Sequence, residues 1–369
     1  MKVYLGMYVS NVHNTQTPLA EWFDDAAWSS IVDPAVDRFV TEAAFDKFDG
    51  IAIDQELYPQ DGNTRTATWN ADYPRRTRPE NAVRVQVRRR GAHLMRTILD
   101  GFPHAEILVY GTAFPETFDS IVQKQVNDVN DAYRDSVQID FWDGMTSTDG
   151  YDAIRFVNAL FYKIPQRGSW DEALRYDVNA FYAVASRHFS NWGNASSRVF
   201  ESPFSWIDSG TSKFERSRSP DAVRQQLDAF RKWGTGGEFA NYAQQSLSTF
   251  DYGPYVSALQ QAANPGVVDR DVPTLEVAPP APHGSSLDLD GTADDNLGVR
   301  VVRWSTAAGA TGVATMTFDV PDNEVSSVGQ ARMHWHIAAI PLRPASNTVT
   351  VTVEDIKGNA TSQTVSVDA

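Results

Sequence analysis

For roughly its first 265 residues the chain alternates short apolar runs of strand length with amphipathic stretches of helical period, and this alternation constrains its fold most. A strand, a helix and a second strand in succession require a crossover, which makes the two strands parallel and obliges helices to cover the sheet. The strand candidates are "VYLGMYV" (3–9), "GIAIDQE" (50–56), "EILVYGT" (106–112), "VQIDFWD" (137–143), "RVFESPFSW" (198–206) and "GEFANYA" (237–243). Between them lie the helical patterns "AVDRFVTEAAFDKF", "AVRVQVRRRGAHLMRTILDGF", "PETFDSIVQKQVNDVNDAYRD", "DAIRFVNALFYK", "DEALRYDVNAFYAVASRHF" and "SPDAVRQQLDAFRKW", with "YGPYVSALQQAA" closing the series.

A doubly wound open sheet would satisfy the alternation, but the chain lacks the glycine-rich strand-to-helix turn that cradles phosphate in such folds. The preferred fold class is therefore α/β, a (β/α)8 TIM-type barrel over residues 1–266. Its first visible strand is read as the third of eight, so the six runs continue without a gap to the eighth. The first two strands are then expected upstream of Met1 or replaced by something else. Residues 267–283, rich in proline and small residues, read as a linker. Residues 284–369 carry short alternating runs with turn residues every eight to twelve positions, as an all-β sandwich requires.

The wording "LDGTADDNLGV", "VRW" and "LRPASNTVTVTVEDIKGNAT" resembles the bacterial immunoglobulin-like modules appended to secreted polysaccharide-degrading enzymes, over about the last 95 residues. The resemblance implies that Asp294, Asp295 and Asn296 form a turn rather than a calcium site. It also implies a secreted or cell-surface bacterial protein. The N-terminus shows no basic start and apolar core of a signal peptide, so a leader is expected upstream.

The chemistry concentrates in "FDGIAIDQELYP" (48–59). Side chains alternate along a strand, and an unpaired carboxylate under the covering helices would cost several kcal/mol. Ala52, Asp54 and Glu56 are therefore expected on the inner face, with Ile51 and Ile53 on the outer. Both acids fall at the C-terminal end of the strand, where barrel active sites lie. "FDGIAIDQE" resembles the fourth-strand signature of the chitinase-type glycoside hydrolases. By position the resemblance makes Glu56 the general acid and Asp54 the aspartate that orients a substrate acetamido group. Ala52 and Gln55 depart from the family pattern, and its sixth-strand signature is met only loosely by "DFWD".

Glycoside hydrolysis generally uses two carboxyl groups. Glu201, in "RVFESPFSW", is a candidate nucleophile opposite Glu56, and a substrate acetamido group aided by Asp54 is the competing one. Sugar rings also need flat apolar faces with polar groups beside them. Tyr8, Tyr58, Tyr110, Trp142, Trp206 and Tyr242 are the stacking candidates, and Asn11, Asp143, Glu238 and Asn241 the hydrogen-bonding ones. A polysaccharide or oligosaccharide partner is expected, and no cofactor or metal. The reading of a different class is a non-catalytic carbohydrate-binding or cell-surface protein on a degenerate glycosidase barrel, motivated by Ala52 and Gln55.

A net charge of −15 and a pI near 4.8 argue against a nucleic-acid partner. The basic run "RVQVRRRGAHLMR" (84–96) reads as a solvated helix face. Without cysteine the chain has no thiolate nucleophile or thiolate metal site. It also lacks "HExxH", "GxSxG" and any apolar run of membrane-spanning length. "HWH" (334–336) places two histidines on one strand face, where they read as surface or packing residues, with metal binding as the lesser alternative.

Overall fold

The computed structural model describes residues 4–10, 17–18, 22–56, 78–111, 138–147, 154–158, 182–183, 185–200, 204–207, 220–221, 224–225, 228, 240–243, 253–254, 269–319, 332–344 and 346–368. They form two compact units that divide between residues 199 and 200, with 182–187 belonging to the second.

The first unit is built on a parallel sheet. Its strands are β1 (Tyr4–Ser10), the two-residue β2 (Thr17–Pro18), β3 (Gly50–Glu56), β4 (Glu106–Gly111), β5 (Ile154–Asn158) and β6 (Val199–Phe200), in the spatial order β2-β1-β3-β4-β5-β6. Apart from β2 at the edge, space order follows chain order, whereas a doubly wound sheet reverses direction partway. The described helices of this unit are α1 (Asp25–Ala27), running through a π turn (Trp28–Val32) into α2 (Asp33–Phe45), then α3 (Glu80–Gly101), α4 (Gln138–Thr146) and α5 (Trp192–Ala195). Helix α2 packs on α3, and α3 on α4. Beneath them Met7, Ile51, Ile53, Ile107, Val109 and Ile154 are each at most 1% exposed. Among the described residues the sheet stays open, and no helix is long and apolar enough to cross a membrane.

Two expected elements exchange places. Of the run 137–143, expected as a strand, residues 138–143 lie in helix α4, and the expected helix "DAIRFVNALFYK" contains strand β5. Both are short and apolar, so periodicity alone separates them poorly. Tertiary pairing decides: Ile154 and Phe156 register with Ile107 and Val109 of β4. In α4, by contrast, Asp140 and Asp143 are one helical turn apart and meet arginines one turn apart on α3.

The basic run is therefore only partly a solvated face: Arg89 and Arg96 are exposed, while Arg84, Arg88 and Arg90 turn to partners. Arg84 Nη1 donates to Asp140 Oδ2 at 2.6 Å, Arg88 Nη2 lies 2.5 Å from Asp140 Oδ1, and Arg88 Nε donates to Asp143 Oδ2 at 2.8 Å. Burial pushes the Asp140 carboxyl above its usual range, against the pull of Arg88 and Arg84. Arg90 is 8% exposed. Its Nε donates to the Trp22 carbonyl at 2.8 Å, and its guanidinium lies 4.5 Å from the Trp28 ring centre. Two glycines permit the close helix crossing. A Cβ on Gly91 would stand 2.0 Å from the Phe141 carbonyl oxygen, and one on Gly144 would stand 2.0 Å from that of Arg88.

The second unit contains a parallel pair, β7 (Phe204–Ile207) with β8 (Ala240–Ala243), and a sandwich of two antiparallel sheets. The expected strand 198–206 is thus split between β6 and β7. One sandwich sheet orders β10 (Ala281–His283), β11 (Ser286–Asp294), β15 (Arg332–Pro341) and β14 (Thr315–Asp319), with β9 (Thr274–Val277) also paired to β11. The other orders β13 (Thr311–Val313), β12 (Val299–Thr306), β16 (Ser346–Asp355) and β17 (Ala360–Asp368). Inward residues alternate along the strands, with Leu287, Leu289, Met333, Trp335 and Ile337 from one sheet and Val349, Val351 and Val353 from the other all buried. Gly291 leaves room for the Trp335 indole, since a Cβ there would stand 2.2 Å from the ring. The expected linker 267–283 supplies the edge strands β9 and β10. Residues 182–187 also belong to this unit, where the Met316 amide donates to Ser186 Oγ at 2.8 Å.

Candidate functional site

Strand β3 alternates as its sequence requires, with Ile51 and Ile53 buried and Ala52 half-buried between them. Parallel pairing aligns each position with its neighbours on β1 and β4. Gly6, Ala52, Leu108 and Arg155 form one row across four strands. The next row toward the C-terminal ends is Tyr8, Asp54, Tyr110 and Val157, and beyond it Ser10 registers with Glu56. Asp54 thus has a tyrosine position on either side, and Glu56 ends its strand.

The opposite end of this face carries an ionic group. Tyr4 Oη donates to Glu106 Oε2 at 2.9 Å, and Arg155 Nε lies 3.5 Å from Glu106 Oε1. Sequence reasoning missed this trio, although Arg155 in an otherwise apolar run was the available signal. Burying Glu106 and Arg155 together offsets the desolvation that either would incur alone. Between the two ends Gly6 and Ala52 carry little side chain, and among the described residues a Cβ on Gly6 would meet nothing within 4 Å, while Leu108 of the same row is buried.

The other expected site residues separate. Trp142 and Asp143, placed by sequence at a strand end, lie instead in helix α4, 1% exposed each. Asp143 Oδ1 accepts from the Ser190 amide at 2.7 Å and its hydroxyl at 2.8 Å, while Oδ2 faces Arg88, so its lone pairs serve helix packing. Trp206 and Tyr242 align in register on β7 and β8, as do Ser205 and Asn241. Asn11, Tyr58, Glu201 and Glu238 lie outside the described residues.

One acidic cluster stands in the sandwich. Asp269, Asp295 and Asp355 each bring a carboxylate oxygen within 4.8 Å of the others, the one group of three or more potential metal ligands among the described residues. These carboxylates build turns, as expected for Asp295. Asp295 Oδ1 accepts from the Leu297 and Gly298 amides at 2.8 and 3.0 Å, and Asp355 Oδ1 from those of Lys357 and Asn359 at 2.7 and 2.9 Å. Burial raises the Asp295 carboxyl to about 6, and the charges of Asp355 and Asp269 add to the rise. Burial lowers the Lys357 ammonium, opposed by the attraction of Asp269 and Asp355.

No family model matches the chain, and comparison with curated proteins gives no match either.

Proposed function

We propose that the chain hydrolyses glycosidic bonds in a polysaccharide or oligosaccharide, with Glu56 as proton donor and Asp54 beside it. The observation that carries this reading is the register at the C-terminal ends of the parallel strands, where Asp54 lies between Tyr8 and Tyr110 and Glu56 follows two residues later. Sites on parallel sheets with helical crossovers form at those ends. Tyrosine supplies both an apolar ring face and a hydroxyl, the pair of properties that sugar binding needs. Parallel strands that follow one another in space as they do in the chain are also what a (β/α) barrel uses, which supports that architecture for the first unit. The second carboxylate of a retaining reaction would be Glu201. A substrate acetamido group held by Asp54 would replace it in an assisted reaction. Secretion and an accessory role for the sandwich belong to the same proposal.

The test is hydrolysis by the full chain across a panel of bacterial, fungal and plant polysaccharides, compared with Glu56→Gln. Glutamine keeps the shape and loses the proton, so the variant should fold as wild type by circular dichroism and lose nearly all activity. Full activity in the variant overturns the assignment. Azide rescue of Glu201→Ala would identify the nucleophile. Sugar binding with no hydrolysis by the wild-type chain would establish the non-catalytic reading instead.

A further inference from the structure

On the outer face of the sandwich sheet, His334 and His336 stand two residues apart on β15, on either side of the buried Trp335. Positions two apart on a strand share a face and lie roughly 6.6–6.8 Å apart, and imidazole nitrogens bind divalent transition ions at about 2.0–2.1 Å. Two histidine side chains so spaced can reach one ion between them. Their registered neighbours on the adjacent strands are polar. His336 registers with Asp290 on β11 and Thr315 on β14, and His334 registers with Thr292 and Thr317.

The second observation concerns the ring of His336. Its Nδ1 lies 2.7 Å from Asp290 Oδ1, and the histidine side chain is 47% exposed. An ionised carboxylate only accepts, so Nδ1 carries the hydrogen and the Nε2 lone pair is left for another partner. A carboxylate that fixes the tautomer and orientation of a metal-binding histidine in this way is the usual outer partner of such a ligand.

We infer that His334 and His336 form a two-histidine site on the sandwich for a divalent first-row transition ion, with Asp290 as a positioning residue. This goes beyond the proposed hydrolysis and does not depend on it. Imidazole selects copper, nickel or zinc over calcium and magnesium, and copper binds nitrogen sites tightest in the divalent series. The two ring nitrogens replace two waters of the hydrated ion, and the remaining positions stay with water.

Untagged full chain titrated with Cu²⁺ by calorimetry should show a site whose electron paramagnetic resonance spectrum carries coupling to two equivalent nitrogens. His334→Ala and His336→Ala should each abolish that signature, and Asp290→Asn should weaken binding by roughly tenfold to a hundredfold. His93→Ala, on α3 of the other unit, should leave it unchanged. Absence of binding, a spectrum with oxygen ligands only, or the same signature in the double His334→Ala/His336→Ala variant overturns the inference. Unchanged affinity in Asp290→Asn overturns the positioning role.

Discussion

Asp295→Asn isolates the electrostatics of the acidic cluster. The residue is 7% exposed, and its folded carboxyl stands at about 6 against an ordinary 3.8, chiefly through burial and then through Asp355 and Asp269. A raised acid binds more protons folded than unfolded, so its contribution to stability is full below the unfolded value and is lost as pH rises through the folded one. At pH 7 an upward shift of roughly two units costs at most about 3 kcal/mol, and solvent screening reduces this to about 1–2 kcal/mol. Asparagine keeps the oxygen that accepts from Leu297 and Gly298 and removes the charge. The variant should therefore be more stable than wild type at pH 7, raising the sandwich transition by about 4–8 °C for each kcal/mol, and the gain should nearly vanish at pH 4. Scanning calorimetry of the full chain at both pH values, with a chelator present, measures this. A variant less stable than wild type at pH 7, or one whose gain is the same at pH 4, would refute the assignment of the cost to the buried charge.

Gly144→Ala should force α3 and α4 apart, because the new methyl would stand 2.0 Å from the Arg88 carbonyl oxygen; a loss of about 1–3 kcal/mol in urea unfolding is expected, and a neutral result would contradict the close crossing. Asp140→Ala leaves Arg84 and Arg88 facing an empty partner position at a fully buried site, and the same assay should register a loss of about 3 kcal/mol. Tyr4→Phe removes one hydrogen bond to Glu106 and should cost about 0.5–1.5 kcal/mol without altering the circular dichroism spectrum. Phe45→Ser, at a side chain 83% exposed on the end of α2, should change stability by less than about 0.5 kcal/mol.

Much of this architecture is legible from local pattern. The period-two alternation of "GIAIDQE" separates Ile51 and Ile53 from Ala52, and the helix-period runs around 35–48 and 82–102 correspond to α2 and α3. The repeated strand-then-helix order requires parallel pairing, and it places Asp54 and Glu56 at a strand end without reference to any partner strand. The even turn spacing of the last residues likewise requires an antiparallel sandwich. These features depend on neighbours in the chain, where backbone geometry repeats every two or 3.6 residues.

Contacts between distant residues decided the rest. "VQIDFWD" and "AIRFVN" are both short apolar runs, and only the register of Ile154 with Ile107, together with the pairing of Asp140 and Asp143 with Arg84 and Arg88, makes the second a strand and places the first in a helix. The same pairing makes Arg84 and Arg88 of the basic run part of a helix interface, while Arg89 and Arg96 stay exposed. Asp269, Asp295 and Asp355 come from segments far apart in the chain, and only the closing of the sandwich brings their carboxylates together. A charge finds its partner, and a short apolar run its conformation, through packing whose energy no local window contains.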